Sequence, residues 1–455
     1  MKNAINKLTI VLFVTIGAFA NAAPVDESIR GIIRDSKLRN AEYGIYAVSF
    51  PGNKALAEIN KDLPLNPASC MKLITTAAAL RTLGADYRFP TKFYLSADGD
   101  LWVKGFGDPS LVIEKLGEMA DNLIKSGLPV TIGDIYIDDS YFDRGGYPGR
   151  RANDSNPYNA VTSAVALNHA ALSLEVSPAS IIGMPAIISL DAPGMNVQNL
   201  AKTGQKRSTR TIRIMRTGDT VKVTGRIPLN SRIVQQFFSV QEPSLHFGNA
   251  LKALLVESGI NVTGHVKQGA VPQSARFLLE SKSIPLSEII KDMNKNSNNF
   301  MAEQVTKAIG AKSFGAPGTT EKGVAESSKY LKSLGGSNFY MENGSGLSYK
   351  TNLSANDIIA VMKDMYNDAE LRDIYLSSLS VAGIDGTTKK WDSPILDGKL
   401  RAKTGSLRRV STLAGFLPNK DEMILFAVML NGGRVDFTTG RRVTKMVAED
   451  LAANK

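Results

Sequence analysis

Hydrophobic positions recur at two different spacings along this chain, and the change of spacing divides it. Ala41-Glu42-Tyr43-Gly44-Ile45-Tyr46-Ala47-Val48-Ser49-Phe50 is rich in aromatic and β-branched residues and reads as a strand, with a short helix expected before it around Ser28 to Arg39. The extended run Leu63-Pro64-Leu65-Asn66-Pro67 then gives way to Leu73-Ile74-Thr75-Thr76-Ala77-Ala78-Ala79-Leu80, a helix-forming run that should stop at Gly84. From about Tyr87 to about Glu280 the spacing becomes two. Short alternating runs, Thr91–Leu95, Leu101–Gly105, Asp134–Asp138, Ala186–Leu190 and Thr220–Thr224, stand between Gly, Asp and Asn punctuation and predict strands and hairpins. Helical spacing returns at Ser287, where Ile289, Ile290 and Met293 share a face. It returns again near the end, where Val443, Met446, Val447 and Leu451 form one stripe. That last stripe is narrow and its segment short, so it predicts a helix packed on a core rather than a membrane anchor.

The first residues stand outside this pattern. Lys2 and Lys7 precede the short apolar run Leu8–Phe19, and Ala20-Asn21-Ala22 offers a small-residue cleavage site. This is the layout of a secretory signal peptide cut after Ala22, and the apolar run is short for a span. The rest of the 455 residues is enough for two or three domains. An exported, periplasmic protein is expected. With one cysteine, Cys70, no disulfide can form within the chain. The three histidines, His169, His246 and His265, are scattered without metal-ligand spacing, so neither a metal nor another cofactor is expected. The net charge of +11 suits an anionic partner, and peripheral association with cell wall or a membrane surface is one expectation; nucleic acid is not.

Chemistry enters at Ser69-Cys70-Met71-Lys72, where the extended run becomes the helix. A serine in the first turn of a helix sits near unpaired backbone N–H groups and the positive end of the helix dipole. A lysine three residues on lies one turn along the same face, within reach of the serine proton. By itself Ser-x-x-Lys is a weak string, since serine at a helix start is usually a cap. Two further strings strengthen it: Ser297-Asn298-Asn299, just after the Ser287 helix, and Lys403-Thr404-Gly405-Ser406, just before the apolar run Leu413–Leu417. A second Lys-Thr-Gly, Lys202-Thr203-Gly204, falls in the wrong order and leads into polar, basic residues; it reads as a surface turn. Ser345 looks like a nucleophile but has no base spaced to serve it, and the glycines around it read as a turn.

The order Ser-x-x-Lys, Ser-x-Asn, Lys-Thr-Gly resembles that of the penicillin-interacting serine enzymes. The wider layout is similar to the D-alanyl-D-alanine carboxypeptidases of the low-molecular-mass class C penicillin-binding proteins, the penicillin-binding protein 4 type. Gly105-Phe106-Gly107-Asp108-Pro109-Ser110-Leu111, Asn343-Gly344-Ser345-Gly346-Leu347-Ser348 and Ala382-Gly383-Ile384-Asp385-Gly386-Thr387 extend the likeness. Two departures stand out. Asn298 and Asn343 occupy positions where the family often has Asp.

The resemblance implies an α+β fold, a penicillin-binding/β-lactamase-like transpeptidase domain with an antiparallel sheet and flanking helices, interrupted by a β-rich insertion. The catalytic domain would comprise residues 23–88 and 281–455, and the insertion residues 89–280. It implies a serine D-Ala-D-Ala carboxypeptidase, and a DD-endopeptidase where the bond is a cross-link, acting on peptidoglycan stem peptides and inhibited covalently by β-lactams. Ser69 would attack, Lys72 accept its proton, Ser297 and Lys403 relay a proton to the leaving group, and Asn299 hold the substrate amide. Thr404, Gly405 and Ser406 would line the carboxylate and oxyanion subsites. Asp154, in the inserted region, would read the free amine of the stem's diamino acid. Three alternatives share some of these features: a serine β-lactamase, which needs a dedicated deacylating group; an esterase; and a non-enzymatic wall-binding scaffold.

Overall fold

The structure is a computed structural model that describes residues 24–453 apart from 37, 39, 151–155, 191–194, 218–219 and 421. The segment read as a signal peptide and Asp154 therefore lie outside the described residues. The fold is α+β, as the sequence leads one to expect. Its centre is a six-stranded antiparallel sheet in the spatial order Ser380–Val381, Arg401–Leu407, Val410–Asn419, Glu422–Gly432, Ala41–Phe50, Lys54–Ile59. Both ends of the chain build it. Ala41–Phe50 pairs with Glu422–Gly432 over ten residues without a slip.

The register has a simple cause. Side chains alternate across a strand, and both faces of this sheet are covered. Ile45, Ala47, Phe426 and Val428 join Ile29, Ile33, Val443 and Val447 of the terminal helices Pro24–Asp35 and Phe437–Ala453 on one side. Tyr46, Val48, Leu425 and Ala427 meet Met71–Leu83, Asn299–Phe314 and Ala355–Asn367 on the other. A one-residue slip would send each set to the wrong layer. The first helix begins at Pro24, earlier than its apolar spacing suggests. Proline preorganises a first turn, and Asp26 and Glu27 complement the dipole there.

Two helices are buried on nearly every side. Met71 to Leu80 and Asn299 to Ala311 are buried throughout, including Lys72, Glu303 and Lys307. Charge inside such helices is costly unless it is partnered, which draws attention to what those side chains meet.

Pro90–Leu95 and Arg276–Lys282, the strands that leave and re-enter this part of the fold, pair with each other at the edge of a five-stranded sheet. Pro90–Leu95 and Leu101–Gly105 form the expected hairpin, but the rest of that sheet departs from the expectation. Leu101–Gly105, Ile135–Asp138 and Val266–Gln268 run parallel, joined through the helices Ile113–Lys125 and Pro243–Glu257. Parallel neighbours require such crossovers. The first of these helices buries Leu116, Met119, Ala120 and Leu123 at helical spacing, a signal that reading by alternation passes over. Beyond it, two three-stranded sheets within residues 171–239 enclose a small core around Leu174, Val176, Val221 and Val223. Lys202–Gly204 is here a short strand in parallel with Arg226–Pro228, its Thr203 and Gly204 buried, and not the surface turn expected.

Candidate active site

Ser69 lies in a single 3-10 turn, Ala68–Cys70, that leads into the helix Met71–Leu83. The turn is held from outside the helix. Asn66 accepts the N–H of Ala68 at 2.8 Å and donates to the Ser348 carbonyl at 2.9 Å. Asn431 in turn clamps the Asn66 backbone, accepting its N–H at 2.8 Å and donating to its carbonyl at 3.1 Å. The strand Arg401–Leu407 passes directly beside it. A Cβ on Gly405 would come within 2.8 Å of the Pro67 carbonyl and 2.9 Å of the Ser69 nitrogen, so only glycine permits this approach.

Lys72 is fully buried and has three partners. Its Nζ stands 3.1 Å from Ser69 Oγ, 2.7 Å from Asn299 Oδ1 and 2.7 Å from the Ser345 carbonyl oxygen. A neutral amine has two N–H bonds and one lone pair. The two carbonyl-type oxygens use both N–H bonds, which leaves the lone pair for the Ser69 hydroxyl. Burial, and then the charge of Lys403, hold Lys72 well below the usual lysine range; Glu303 opposes them. Desolvation outweighs the like-charge effect of Lys403.

Ser297 and Lys403 form the second half. Lys403 Nζ donates to Ser297 Oγ at 2.9 Å and to the Thr404 carbonyl at 2.8 Å. Its burial pushes its pKa down to about 8. Ser297 takes a left-handed backbone, φ 54°, between the helices Leu286–Lys295 and Asn299–Phe314. That conformation is unfavourable for a serine, and here it turns the hydroxyl toward Lys403. Asn298 caps the second helix, accepting the Met301 N–H at 3.0 Å. An aspartate could do the same, so this departure from the family pattern costs the site nothing. Asn343 is different in kind: it accepts from Gly346 N–H at 2.9 Å and donates to the Pro148 carbonyl at 2.7 Å, and an aspartate could not donate.

These groups open into a cleft of about 1000 Å³ lined by Ser69, Ser297, Asn299, Thr404 and Ser406, with Tyr158 and a basic wall of Arg408, Arg409, Arg434 and Arg441. Arg441 donates to the Thr387 carbonyl at 2.7 Å, and Thr404 Oγ1 bonds Thr387 Oγ1 at 2.8 Å, so the wall is tied to the Lys-Thr-Gly strand. A smaller cavity of about 340 Å³ shares Tyr158, Ser297 and Asn299 and continues to His169 and Phe237. Among the described residues no group of His, Cys, Asp and Glu could hold a metal ion. Cys70 is buried; its thiol donates to the Lys403 carbonyl at 3.2 Å, and burial pushes its pKa up.

Ser69, Lys72, Ser297, Asn299, Lys403, Thr404 and Ser406 thus lie in or directly against one cleft, while Lys202-Thr203-Gly204 does not line it. Glu303 escaped the sequence reading. Its carboxylate accepts the Ser345 N–H at 2.8 Å and faces the Gly344 N–H at 3.4 Å, and so fixes the turn whose carbonyl holds Lys72. The signal was available: an acid four residues after Asn299 on a helix of Phe300, Met301, Ala302, Val305, Ala308 and Ile309. Ser345 is a turn residue, as expected, but its backbone carbonyl holds Lys72.

The sequence profile of the D-Ala-D-Ala carboxypeptidase 3 (S13) family matches residues 25–454. A D-alanyl-D-alanine carboxypeptidase of Actinomadura sp. (strain R39) is 33% identical over 443 residues, spanning 91% of this chain and 82% of that protein. The D-alanyl-D-alanine carboxypeptidase DacB of Haemophilus influenzae is 26% identical over 412 residues, 86% and 85% of the two chains. The crystal structure of penicillin binding protein 4 (dacB) from the same organism superposes with a TM-score of 0.78 at 23% identity, covering 93% of this chain and 99% of that one. At that identity the likeness is one of fold.

Proposed function

The chain belongs to the D-Ala-D-Ala carboxypeptidase 3 (S13) family and is a serine-type D-Ala-D-Ala carboxypeptidase; on that premise we propose that Ser69 is its nucleophile and Lys72 its base. One observation carries the assignment: Lys72 Nζ stands 3.1 Å from Ser69 Oγ and 2.7 Å from both Asn299 Oδ1 and the Ser345 carbonyl oxygen, so that in its neutral form it keeps a lone pair for Ser69 once the two oxygens have taken its N–H bonds.

The cycle follows. Lys72 takes the hydroxyl proton as Ser69 Oγ attacks the carbonyl of the penultimate D-alanine in a peptidoglycan stem. The negative charge that forms on the carbonyl oxygen meets the backbone N–H groups of Ser69 and Ser406, donors whose preorganised placement supplies several kcal/mol. The C–N bond then breaks. The proton taken by Lys72 passes through Ser297, whose oxygen is held by Lys403, to the departing D-alanine amine; Lys72, neutral again, takes a proton from the water that attacks the ester and hands it to Ser69 Oγ as the ester C–O bond breaks. Asn299 orients the substrate amide. Thr404 and Ser406 hydroxyls receive the terminal carboxylate, and Arg441 supplies the opposite charge beside them.

A β-lactam presents the same carbonyl without a leaving group that diffuses away, so it should remain on Ser69. Intact-mass analysis after incubation with penicillin tests the reading: the protein should gain one penicillin, and Ser69→Ala none. A label on Ser345 or Cys70 would overturn it. The breadth of the cleft supports cross-linked stems as second substrates, which makes the enzyme an endopeptidase as well; a cross-linked muropeptide dimer should be cut by the same serine. Asp154 is our candidate for reading the side-chain amine of the diamino acid, supported by Tyr158, four residues on, which lines both cavities. We read the protein as exported to the periplasm, supported by the leader-like pattern of residues 1–22; among the described residues no helix is long and apolar enough to cross a membrane.

A further inference from the structure

The positive charge of this protein is not spread evenly. Between residues 181 and 240 the chain carries nine Lys and Arg against two Asp and no Glu, seven of the net +11. The structure shows how part of this stretch is arranged. The turn that follows Ser177 carries Ile181, Ile182 and Met184, whose exposures are 64%, 50% and 52%. It is pinned to the strand Lys202–Gly204: Gly183 N–H bonds the Thr203 carbonyl at 2.8 Å, and Thr203 N–H bonds the Met184 carbonyl at 2.8 Å. That strand pairs Lys202 with Arg226, and Lys206 and Arg207 follow in the next turn, where Arg207 N–H bonds Asn230. Lys202, Lys206, Arg207 and Arg226 are exposed and enter no ion pair among the described residues. Elsewhere, by contrast, Lys104, Lys295 and Lys307 each meet a carboxylate.

Single exposed apolar residues are ordinary on a protein surface. Two consecutive isoleucines and a methionine at one tip, beside four exposed cations, are the composition of a surface that enters a lipid interface. A soluble polyanion would use the cations and leave the isoleucines in water. We propose that this turn and the strands Lys202–Gly204 and Arg226–Pro228 form a docking surface for an anionic phospholipid bilayer. Ile181, Ile182 and Met184 enter the interface, and the four cations meet the phosphates. The placement suits a working enzyme. The strand Ala171–Ser177 starts at the cavity beside the cleft and ends at the tip, and seven strand residues at ~3.3 Å each set the two roughly 20 Å apart. Docking therefore leaves the cleft open. The inference does not depend on the reaction at Ser69.

Cosedimentation of the processed protein with vesicles tests it. Vesicles of mixed phosphatidylglycerol and phosphatidylcholine should bind the protein at low salt and release it as salt screens the charges. Pure phosphatidylcholine should bind it far more weakly. Each cation near such a surface contributes ~1 kcal/mol, so Lys202→Gln with Arg226→Gln should weaken binding about thirtyfold. Ile181→Ser with Ile182→Ser should weaken it at least tenfold, while penicillin labelling stays at the wild-type level and reports an intact fold. Absence of binding to either vesicle, or equal binding to both, overturns the proposal. So does full binding by the serine variant together with release by inorganic polyphosphate, which would make a soluble polyanion the partner.

Discussion

Glu303→Gln should move the pH dependence of acylation. Glu303 and Lys72 are linked through one residue: the Ser345 N–H meets the carboxylate at 2.8 Å and the Ser345 carbonyl meets Nζ at 2.7 Å. Backbone dimensions then bound the separation of the two charges at roughly 9 Å. A unit charge ~8 Å away at an effective dielectric constant of ~20 is worth about 2 kcal/mol, or about 1.5 pH units. The anion raises the pKa of Lys72, against burial and Lys403, which lower it. Glutamine keeps an oxygen for the Ser345 N–H and removes the charge. With Lys72 as the proposed base, acylation requires its neutral form and is lost as pH falls through its pKa. Lowering that pKa carries the loss to more acid pH. The second-order rate constant for acylation by penicillin, measured from pH 4 to 9, should therefore show an acid limb ~1–1.5 units lower in the variant. An acid limb that superposes on the wild type would refute the coupling. Glu303→Ala separates this effect from simple support of the turn. It leaves the N–H groups of Ser345 and Gly344 without their acceptor, a loss of about 2–5 kcal/mol that a melting curve reads directly.

Lys403→Ala deprives Ser297 of a charge-assisted bond of ~1.5–3 kcal/mol, so kcat/KM for D-Ala-D-Ala peptides should fall roughly ten- to a hundredfold. With its pKa held at about 8, Lys403 loses its proton as pH rises past that value, and wild-type kcat/KM should decline there while the variant shows no such limb. The same depression has a stability sign. Unfolded Lys403 keeps its proton to 10.5 and the folded residue releases it near 8, so the unfolding free energy should rise with pH across that window and lose this increment in Lys403→Ala. Gly405→Ala places a methyl against the Pro67 carbonyl and Ser69 nitrogen and should slow penicillin acylation by more than tenfold; a wild-type rate would show that the strand can yield. For Asp154, stem peptides with a free and an acetylated side-chain amine should differ about ten- to a hundredfold in wild type, and Asp154→Asn should narrow the gap; equal discrimination by the variant removes Asp154 as the reader.

Much of the architecture is legible along the chain because its cause is local. The alternation in Leu101–Gly105 and Thr220–Thr224 reflects strands with one covered face, and the structure has strands there. Alternation cannot tell parallel from antiparallel, because both present side chains with period two. The parallel ladder of Ile135–Asp138 therefore emerged only with its crossover helices. The decoy at Lys202 shows the same limit. Its three residues spell the motif, and short strands without neighbours in sequence carry no periodic signal, so both its strand character and its distance from Ser69 were decided elsewhere. Likewise the excess of cations in residues 181–240 can be counted in the sequence, but the exposure of Lys202, Lys206, Arg207 and Arg226 cannot.

The active site divides along the same line. Ser69 and Lys72 meet because the helix places residues three apart on one face, a consequence of backbone geometry that the spacing alone determined. The order of the three motifs likewise determined the family and the chemistry. What the sequence could not determine is the state of the lysine. Its two carbonyl-type partners come from positions 227 and 273 residues away. Its lowered pKa depends first on burial, which is a sum over every element packed around it. Only when the helices Met71–Leu83 and Asn299–Phe314 and the Ser345 turn close together does an ordinary lysine acquire the lowered pKa and directed contacts that the proposed base needs, because desolvation and directed hydrogen bonds are properties of the assembled interior and not of any segment of the chain.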